Sequence, residues 1–301
     1  MAIKELAGFK IVVAGGDERE TVLALELAKQ EAKVWLYGFS RDNKYLLENL
    51  SFGLPPRADV IILPLSGLDE DGNFRAADGQ KKINLGLLET LFFPGVLLIC
   101  GHISRRQQDY LNAKGVKLLA AGSIEELAVL NAIPTAEGAL AFAINNSPLT
   151  LCGSSVLVAG FGRCAKPLAR LLKAFGARVT VAARKRKDLA LARTLGYRTA
   201  EFTDLQINSD KFDFIFNTVP APVINGKVLQ NTHENSLIID LASSPGGTDF
   251  TAAKKLGLKA FLLPGIPGKT APVTAGKILA EVYVHYIALF MKGGSADETC
   301  R

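Results

Sequence analysis

One stretch of this sequence, residues 155–182, restricts the possible folds more than any other. It contains an apolar run (155–159), a glycine-containing turn that reads GFGRCA, an amphipathic segment and a second apolar run (178–182). Two short apolar runs separated by a segment with helical periodicity are typical of a β-α-β unit, whose strands are parallel. The stretch therefore predicts a parallel sheet covered by helices.

The same alternation continues along the chain, which has 301 residues. It predicts an α/β fold with two Rossmann-like, doubly wound domains and a cleft between them. In the first half we expect helices at about 18–30 and 104–114, and strands at 10–14, 33–37, 59–63, 96–100 and 116–119. In the second half we expect a last helix at about 272–291, and strands at 155–159, 178–182, 213–216, 236–240 and 259–262.

The segment 123–147 has helical character but contains Pro134. Because proline interrupts helical hydrogen bonding, we expect two helices to meet at this residue. Thr135 is then the N-cap of the second helix, and Glu137 lies in its first turn. We expect this segment to connect the two domains.

Composition and charge argue against several classes of protein. The net charge is +6, but the basic residues are scattered except at 184–187, and one Trp and six Tyr leave few rings for base stacking. We therefore expect no nucleic-acid partner. The four cysteines show no metal-binding or disulfide-like spacing, and Glu89 and Pro94 interrupt the longest apolar run. These features, with no signal-peptide pattern, predict a cytoplasmic protein without a metal or a membrane span.

The GFGRCA turn matches the GxGxxA fingerprint of dinucleotide-binding domains, and it stands between a predicted strand and a predicted helix. The first glycine permits a tight turn, and the second lets the backbone approach a pyrophosphate near the helix N-terminus. The cofactor contacts expected from this turn are Gly160, Phe161, Gly162, Arg163 and Cys164.

The next strand ends in a basic run, which reads RKRK at 184–187. NAD sites place a carboxylate here to accept hydrogen bonds from the ribose, and that carboxylate would repel the additional phosphate of NADP. Basic side chains attract this phosphate instead. We therefore predict NADP(H) as the cofactor, with contacts from Ala183, Arg184 and Lys185.

Two further turns follow strands of the same predicted sheet. The first lies where the nicotinamide ribose is usually bound, and its expected cofactor contacts are Thr218, Val219 and Pro220. The second follows Asp240, which we expect to orient the loop 241–247. Small side chains and two glycines in this loop indicate that a ligand approaches its backbone.

Several longer motifs carry a more specific resemblance. They read IVVAGGDERE, IPTAEGAL, VLVAGFGR followed by AARK, NTVP, IDLASSPGGTDF and LPGIPGKTAPVTAG. Together they resemble the A subunit of bacterial dipicolinate synthases over essentially the full chain. The order of elements is more distantly similar to that of alanine dehydrogenases and 2-hydroxyacid dehydrogenases.

The resemblance implies an NADP-linked oxidoreductase that oxidises dihydrodipicolinate to pyridine-2,6-dicarboxylate in the mother cell of a sporulating bacterium. It also implies a partner, the flavodoxin-like flavoprotein that forms the B subunit of dipicolinate synthases, and we expect a homodimer or a hetero-oligomer. We therefore expect residues 1–132 to form an N-terminal flavodoxin-like or Rossmann-like substrate domain, and residues 133–150 to form an interdomain helix and linker. Residues 151–271 form the NADP-binding domain, and residues 272–301 a helix that packs back on the first domain.

A substrate with two carboxylates requires groups that bind anions. Arg19, at the start of the first helix, and Lys269 with Thr270, before the last helix, are the expected carboxylate ligands. Ser243 and Ser244 are expected to add hydroxyl donors.

Two residues are candidates for accepting the proton that is lost on oxidation. His102 follows a buried strand, at the edge where α/β sheets bind ligands, and Glu137 lies on the connecting helix. Each also has a structural alternative, since His102 can be a locally bonded residue and Glu137 a capping carboxylate. Aromatisation is so favourable that the site does not strictly need a dedicated base.

Two other functions stay open on the residues alone. Another NADP-dependent oxidoreductase, acting on an imino, amino or hydroxy acid, would use the same fold. A non-catalytic NADPH-binding scaffold protein would keep the dinucleotide turn without a catalytic pair of residues.

Overall fold

The computed structural model describes residues 5–40, 50–79 and 81–292. They form two compact units. The first unit comprises the described residues up to Leu130 together with those from Ala271 onward, and the second unit is Asn131–Thr270.

The secondary structure of the described residues alternates between strands and helices. The strands are β1 Lys10–Ala14, β2 Lys33–Tyr37, β3 Ser51–Phe52, β4 Val60–Ile62, β5 Asn73–Arg75, β6 Lys82–Asn84, β7 Leu97–Cys100, β8 Lys117–Ala120, β9 Ser155–Ala159, β10 Arg178–Ala182, β11 Arg198–Ala200, β12 Phe214–Asn217, β13 Leu237–Asp240 and β14 Lys259–Leu262. The α-helices are α1 Glu18–Lys29, α2 Arg105–Ala113, α3 Glu125–Asn146, α4 Ala165–Ala174, α5 Arg186–Thr194, α6 Leu205–Asn208, α7 Gly226–Gln230, α8 Phe250–Lys255, α9 Ile266–Thr270 and α10 Pro272–Met291. Short 3₁₀ helices lie at Leu85–Leu91, Ala121–Ser123 and Ser209–Lys211.

Each unit is built on a six-stranded parallel sheet. The strand order is β3-β2-β1-β4-β7-β8 in the first unit and β11-β10-β9-β12-β13-β14 in the second, and β5 and β6 form a separate antiparallel hairpin. In both sheets the first strand along the chain lies in the middle, with the strand order reversing beside it, as in dinucleotide-binding domains. The predicted α/β class with two Rossmann-like domains is confirmed, and the predicted cleft stays a prediction.

The central strands are mostly apolar because helices cover both faces of each sheet, and polar residues stand only at strand ends, such as Asn217 in β12 and Asp240 in β13. All residues of β4, β7, β12 and β13 are buried. In the first unit, α10 packs against α1. Gly276 allows this approach, because a methyl group there would clash with the carbonyl oxygen of Arg19 and the side chain of Val22.

The prediction that two helices meet at Pro134 is wrong. One helix, α3, continues through Pro134, and Thr135 lies inside it rather than at an N-cap. The hydroxyl of Thr135 donates to the carbonyl of Asn131 at 2.7 Å. A proline inside a helix costs about 3 kcal/mol, but the apolar face of α3 stays buried on both sides of it, at Ala132, Ala136, Ala139 and Ala143. Glu137 is therefore an exposed residue in the middle of a helix, and its alternative role as a capping carboxylate is excluded.

Two described helices, α3 and α10, have the length and mean hydropathy of membrane-spanning helices, with values of 1.6 and 1.3. Both place apolar residues in the cores of the units, such as Ala139 in α3 and Leu279 in α10. Core helices of globular domains have the same composition, so this feature is weak evidence for a membrane.

Candidate functional site

The glycine-rich turn connects β9 to α4 in the second unit. Gly160 has φ +102°, a conformation that favours glycine. A methyl group at this position would clash with the hydroxyl of Thr218 and the side chain of Val219. Gly160 is thus required by the chain itself, because it lets the turn after β12 approach the turn after β9.

Gly162 is different, because a methyl group there would meet no atom within 4 Å. The packing of the chain therefore does not require a glycine at this position, whereas the close approach of a pyrophosphate does. Ala165 is fully buried, which brings the start of α4 close to the sheet. Cys164, the N-cap of α4, makes no capping hydrogen bond with its side chain. The turn fits a dinucleotide.

The thiol of Cys164 adds no negative charge to this turn. Burial raises the pKa of Cys164, and the positive charge of Arg163 offsets only part of this effect. A neutral thiol does not repel the phosphates of a dinucleotide.

Three turns meet at the carboxyl edge of the second sheet. The amide of Gly160 donates to the carbonyl of Ala182, at the end of β10, at 2.8 Å. The amide and the hydroxyl of Thr218, after β12, donate to the carbonyl of Ala159 at 2.9 and 2.8 Å. Because β9 lies between β10 and β12, the expected cofactor contacts after these strands lie at one place, where the strand order reverses.

The basic run is exposed at this edge. Ala183 is buried at the end of β10, Arg184 and Lys185 form the turn, and Arg186 and Lys187 are the first residues of α5. No carboxylate among the described residues forms an ion pair with these four side chains. A helix N-terminus already carries a partial positive charge, so the four cations are unfavourable there unless an anion is bound.

The side chain of Asp240, at the end of β13, is fully buried and accepts four hydrogen bonds. Its Oδ1 accepts from the amide of Ala242 at 3.0 Å, and its Oδ2 accepts from the amide of Gly247 at 2.8 Å and the hydroxyl of Thr248 at 2.7 Å. The fourth donor is Nδ2 of Asn217, at 2.9 Å. The expectation that Asp240 orients the following loop is confirmed.

Asn217 is the first residue of the NTVP motif, and its contacts give it a positioning role that the motif did not indicate. Its Nδ2 also donates to the carbonyl of Val219 and its Oδ1 accepts from the amide of Val219, both at 3.0 Å. Asp240 and Asn217 therefore connect the loop after β13 to the turn that holds Thr218 and Pro220. The available signal was a single polar residue at the end of the strand FIFN.

The expected substrate ligands of the second unit lie on two segments. Ser243 and Ser244 are exposed on the loop that Asp240 orients, and Lys269 and Thr270 belong to the short helix α9. A methyl group at Gly138 of α3 would clash with the side chains of Ile266 and Thr270, so α9 packs directly against α3 at this point. Glu137 immediately precedes Gly138 in α3.

The corresponding turn of the first unit, after β1, is filled by the chain itself. Gly15 and Gly16 both have positive φ. The amide of Gly16 donates to the carbonyl of Arg75, in the β5–β6 hairpin, at 2.8 Å, and a methyl group at Gly16 would clash with the carboxyl of Glu20. This turn has no open space comparable to that at Gly162, so it does not offer a second dinucleotide site.

The side chain of Arg19 forms an ion pair with Asp17. Its guanidinium donates to both carboxylate oxygens of Asp17, from Nε at 2.9 Å and from Nη2 at 2.7 Å. Asp17 is also the N-cap of α1, in a capping box with Glu20. Burial acts to raise the pKa of Asp17, but the hydrogen bonds and charge of Arg19 hold it below the ordinary value. A substrate carboxylate at Arg19 would have to compete with Asp17.

Glu20 is fully buried beneath this turn. Its carboxyl accepts from the amides of Asp17 at 2.8 Å and Leu65 at 3.0 Å. Burial raises the pKa of Glu20 to about 7, although the charge of Arg19 acts in the opposite direction. The hydroxyl of Tyr283, also buried, has no hydrogen-bond partner among the described residues, and burial raises its pKa.

His102 lies in the first unit, directly after β7. Its side chain is exposed, and its carbonyl accepts from the amide of Leu68 at 2.9 Å. The structure thus places the two candidate bases in different units, His102 in the first and Glu137 in the second. No group of three or more metal-ligating side chains is present among the described residues.

Two family descriptions match separate parts of the chain. Residues 10–121 match the N-terminal domain of the dipicolinate synthase A subunit. Residues 138–245 match the NAD binding domain of D-isomer specific 2-hydroxyacid dehydrogenases, which supports an oxidoreductase with a nicotinamide cofactor.

Individual relatives extend this similarity to nearly the whole chain. The dipicolinate synthase A subunit of Bacillus subtilis (strain 168) is 35% identical over 291 residues, which cover 94% of this chain and 97% of that protein. The crystal structure of the dipicolinate synthase A subunit from Bacillus halodurans has a TM-score of 0.88 at 33% identity, covering 94% of this chain and 99% of that chain. An L-alanine dehydrogenase, with a TM-score of 0.66 and 13% identity over 95% of this chain and 91% of that chain, shares the fold. The chain belongs to the family of dipicolinate synthase A subunits.

Proposed function

We propose that this protein is the NADP-dependent A subunit of a dipicolinate synthase, which oxidises dihydrodipicolinate to pyridine-2,6-dicarboxylate. The observation that carries the choice of NADP is the exposed basic run at the carboxyl end of β10. Four cations stand there beside the glycine-rich turn, at the position where NAD sites use a carboxylate.

The second unit supplies the groups that would hold the cofactor. The backbone around Gly162 and the start of α4 would hold the pyrophosphate, and Arg184 and Lys185 the phosphate on the adenosine ribose. Thr218 and Pro220 would border the nicotinamide ribose. When bound, NADP⁺ accepts the hydride that leaves the substrate.

The substrate requires two anion-binding groups and a fixed orientation toward the cofactor. The Asp240 network supports a rigid loop with Ser243 and Ser244 on its surface, and Lys269 offers a cation on α9. Glu137, next to the contact between α3 and α9, is the proton acceptor that we favour in this unit. We retain Arg19 and His102, in the first unit, as an anion ligand and as the alternative base.

Family membership supports a wider setting for this reaction. We propose that the protein acts in the cytoplasm of the mother cell of a sporulating bacterium. We also propose that it works with a flavodoxin-like second subunit, in a homodimer or a hetero-oligomer.

The test is a spectrophotometric assay with dihydrodipicolinate and either NADP⁺ or NAD⁺, with and without the second subunit. We expect NADPH and pyridine-2,6-dicarboxylate to form in equal amounts, and more slowly with NAD⁺. If the chain binds NADPH but neither binds the dicarboxylate nor turns over with the second subunit present, the scaffold alternative is correct. Turnover of another imino, amino or hydroxy acid in place of dihydrodipicolinate would also overturn the proposal.

A further inference from the structure

The surface of the second unit contains a groove along α4, which we call the α4 groove. It has a volume of about 490 Å³. Its lining includes three basic residues of α4, Lys166, Arg170 and Lys173, together with Ile133, Leu195 and Tyr197.

The α4 groove is strongly cationic. Lys166, Arg170 and Lys173 follow one another at intervals of four and three residues, which places them on one face of α4. Lys173 is fixed in place, because its ammonium donates to the carbonyl of Leu195 at 2.8 Å and lies 5.2 Å from the centre of the Tyr197 ring. No carboxylate among the described residues pairs with any of these three cations.

The α4 groove also exposes apolar side chains above a rigid floor. Ile133 is 41% exposed and Leu195 is 50% exposed. Beneath them the buried rings of Phe161 and Tyr197 meet edge to face, with their centres 6.1 Å apart. An apolar centre bordered by polar groups, with arginine among them, is the composition of a protein-protein interface.

We infer that the α4 groove binds a second protein, which presents carboxylates around an apolar side chain. This inference rests on the proposed function, in which that protein is the flavodoxin-like second subunit. Charge complementarity selects an acidic partner, since three unpaired cations repel a basic surface and attract an acidic one. Docking here brings the partner to the glycine-rich turn, because Phe161 belongs both to the turn and to the floor of the groove.

Two other occupants fit the groove less well. In a symmetric dimer formed through this face, the cations of one copy would lie against the same cations of the other copy. A nucleic acid would pair with the cations but would leave Ile133 and Leu195 without apolar contacts, and the two rings available for stacking are buried.

The experiment uses calorimetry to measure the Kd between the full-length chain and the purified second subunit. We expect the double variant Lys166→Glu and Arg170→Glu to raise this Kd by about tenfold or more, because it reverses two cations of the groove. Leu195→Ser should also raise the Kd, with no change in charge. The matched control is Lys254→Glu with Lys255→Glu, on α8 outside the groove, which makes the same change in net charge and should leave the Kd within about twofold.

The remaining outcomes overturn the inference. It is wrong if the groove variant binds the second subunit like wild type, or if the wild type does not bind that subunit. The inference is equally wrong if the groove variant differs from the wild type in self-association, measured by sedimentation. It is also wrong if the variant loses affinity for a DNA duplex but still binds the second subunit with wild-type affinity. NADPH titration and the dehydrogenase assay, both with the wild-type chain alone, test the proposed function separately from the docking surface.

Discussion

A methyl group added at Gly160 would clash with the side chain of Thr218, whereas one added at Gly162 would meet only open space. The two glycines of the GxGxxA motif are therefore required by different constraints, one from the fold and one from a ligand. Gly160 serves the fold, because only a residue without a side chain allows the turn after β12 to approach. Gly162 serves a ligand, because nothing in the described chain occupies the space beside it.

We expect Gly162→Ala to keep the melting temperature of the wild type but to bind NADPH about tenfold more weakly or worse, since the methyl group takes the place of the pyrophosphate. Gly160→Ala should instead lower the melting temperature by several degrees, because the strained backbone costs about 1–3 kcal/mol. Thermal unfolding and NADPH titration of the two variants separate these effects. Wild-type affinity in Gly162→Ala would remove this turn from the site.

Glu20 gives the first unit a dependence of stability on pH. Its pKa is 4.5 in the unfolded chain and about 7 in the folded protein. Between these values the unfolded chain releases the proton while the folded protein keeps it, so the free energy of unfolding falls as the pH rises. The difference corresponds to about 3 kcal/mol over this range.

We expect Glu20→Gln to remove this contribution, since glutamine does not titrate. The free energy of unfolding of the wild type, relative to the variant, should fall by up to about 3 kcal/mol between pH 4.5 and 7. Urea unfolding, followed by the fluorescence of Trp35, measures the free energy of unfolding. Trp35 is the one tryptophan of the chain, and it lies in the first unit. Parallel pH curves for the two proteins would show that Glu20 ionises normally in the folded state.

At the residue scale, some contacts could be predicted from local patterns and others could not. The motif GGDERE includes the spacing of a capping box, Asp-x-x-Glu, which predicts that Asp17 and Glu20 bind the start of α1 themselves. The bidentate pair of Arg19 with Asp17 involves residues two positions apart, and its geometry depends on burial that no local pattern reveals. Asn217 contacts Asp240 across two strands, so its role becomes visible only in the sheet.

Among the elements, the strands of the β-α-β units were predicted best. The strands β1, β2, β9, β10 and β14 have the predicted bounds, because each is an apolar run between helical segments. The strands β3, β5, β6 and β11 were missed, since they are two or three residues long and lack an apolar run. The helix continues through Pro134, against local propensity, because the apolar face of α3 is buried on both sides of the proline.

The contact between α3 and α9 can be tested by substituting Gly138. Gly138→Ala places a methyl group against Ile266 and Thr270, so α9 must move and carry Lys269 with it. We expect the affinity for pyridine-2,6-dicarboxylate to fall by about tenfold, because Lys269 is an expected carboxylate ligand, while the affinity for NADPH stays unchanged.

The matched control for Gly138→Ala is Gly226→Ala, at the start of α7, where the added methyl group makes only ordinary contacts. Calorimetric titration with each ligand provides the measurement. An unchanged affinity for the dicarboxylate in Gly138→Ala would show that α9 does not bind the substrate.

At the scale of the whole molecule, both units share one strand order, yet only the second has an open glycine-rich turn among the described residues. The sequence indicated the shared pattern, because both halves begin with a strand, a glycine-containing turn and a helix. It did not indicate that the first turn is filled, because the carbonyl of Arg75 and the carboxyl of Glu20 reach it through tertiary structure. Fold class follows from periodicity, whereas an open or filled turn follows from side chains that are distant in sequence.

The most direct test of the proposed cofactor site compares the Kd values for NADPH and NADH in the wild type, in Arg184→Glu and in Arg193→Glu. Arg193 lies at the other end of α5 and serves as the control for a reversed charge. We expect the wild type and the control to bind NADPH about tenfold or more tightly than NADH, because only NADPH carries the additional phosphate. Arg184→Glu should lose this preference and keep its affinity for NADH. An NADP site at the end of β10 would be contradicted if the wild type bound NADH more tightly than NADPH. It would also be contradicted if Arg184→Glu lost affinity for both coenzymes equally.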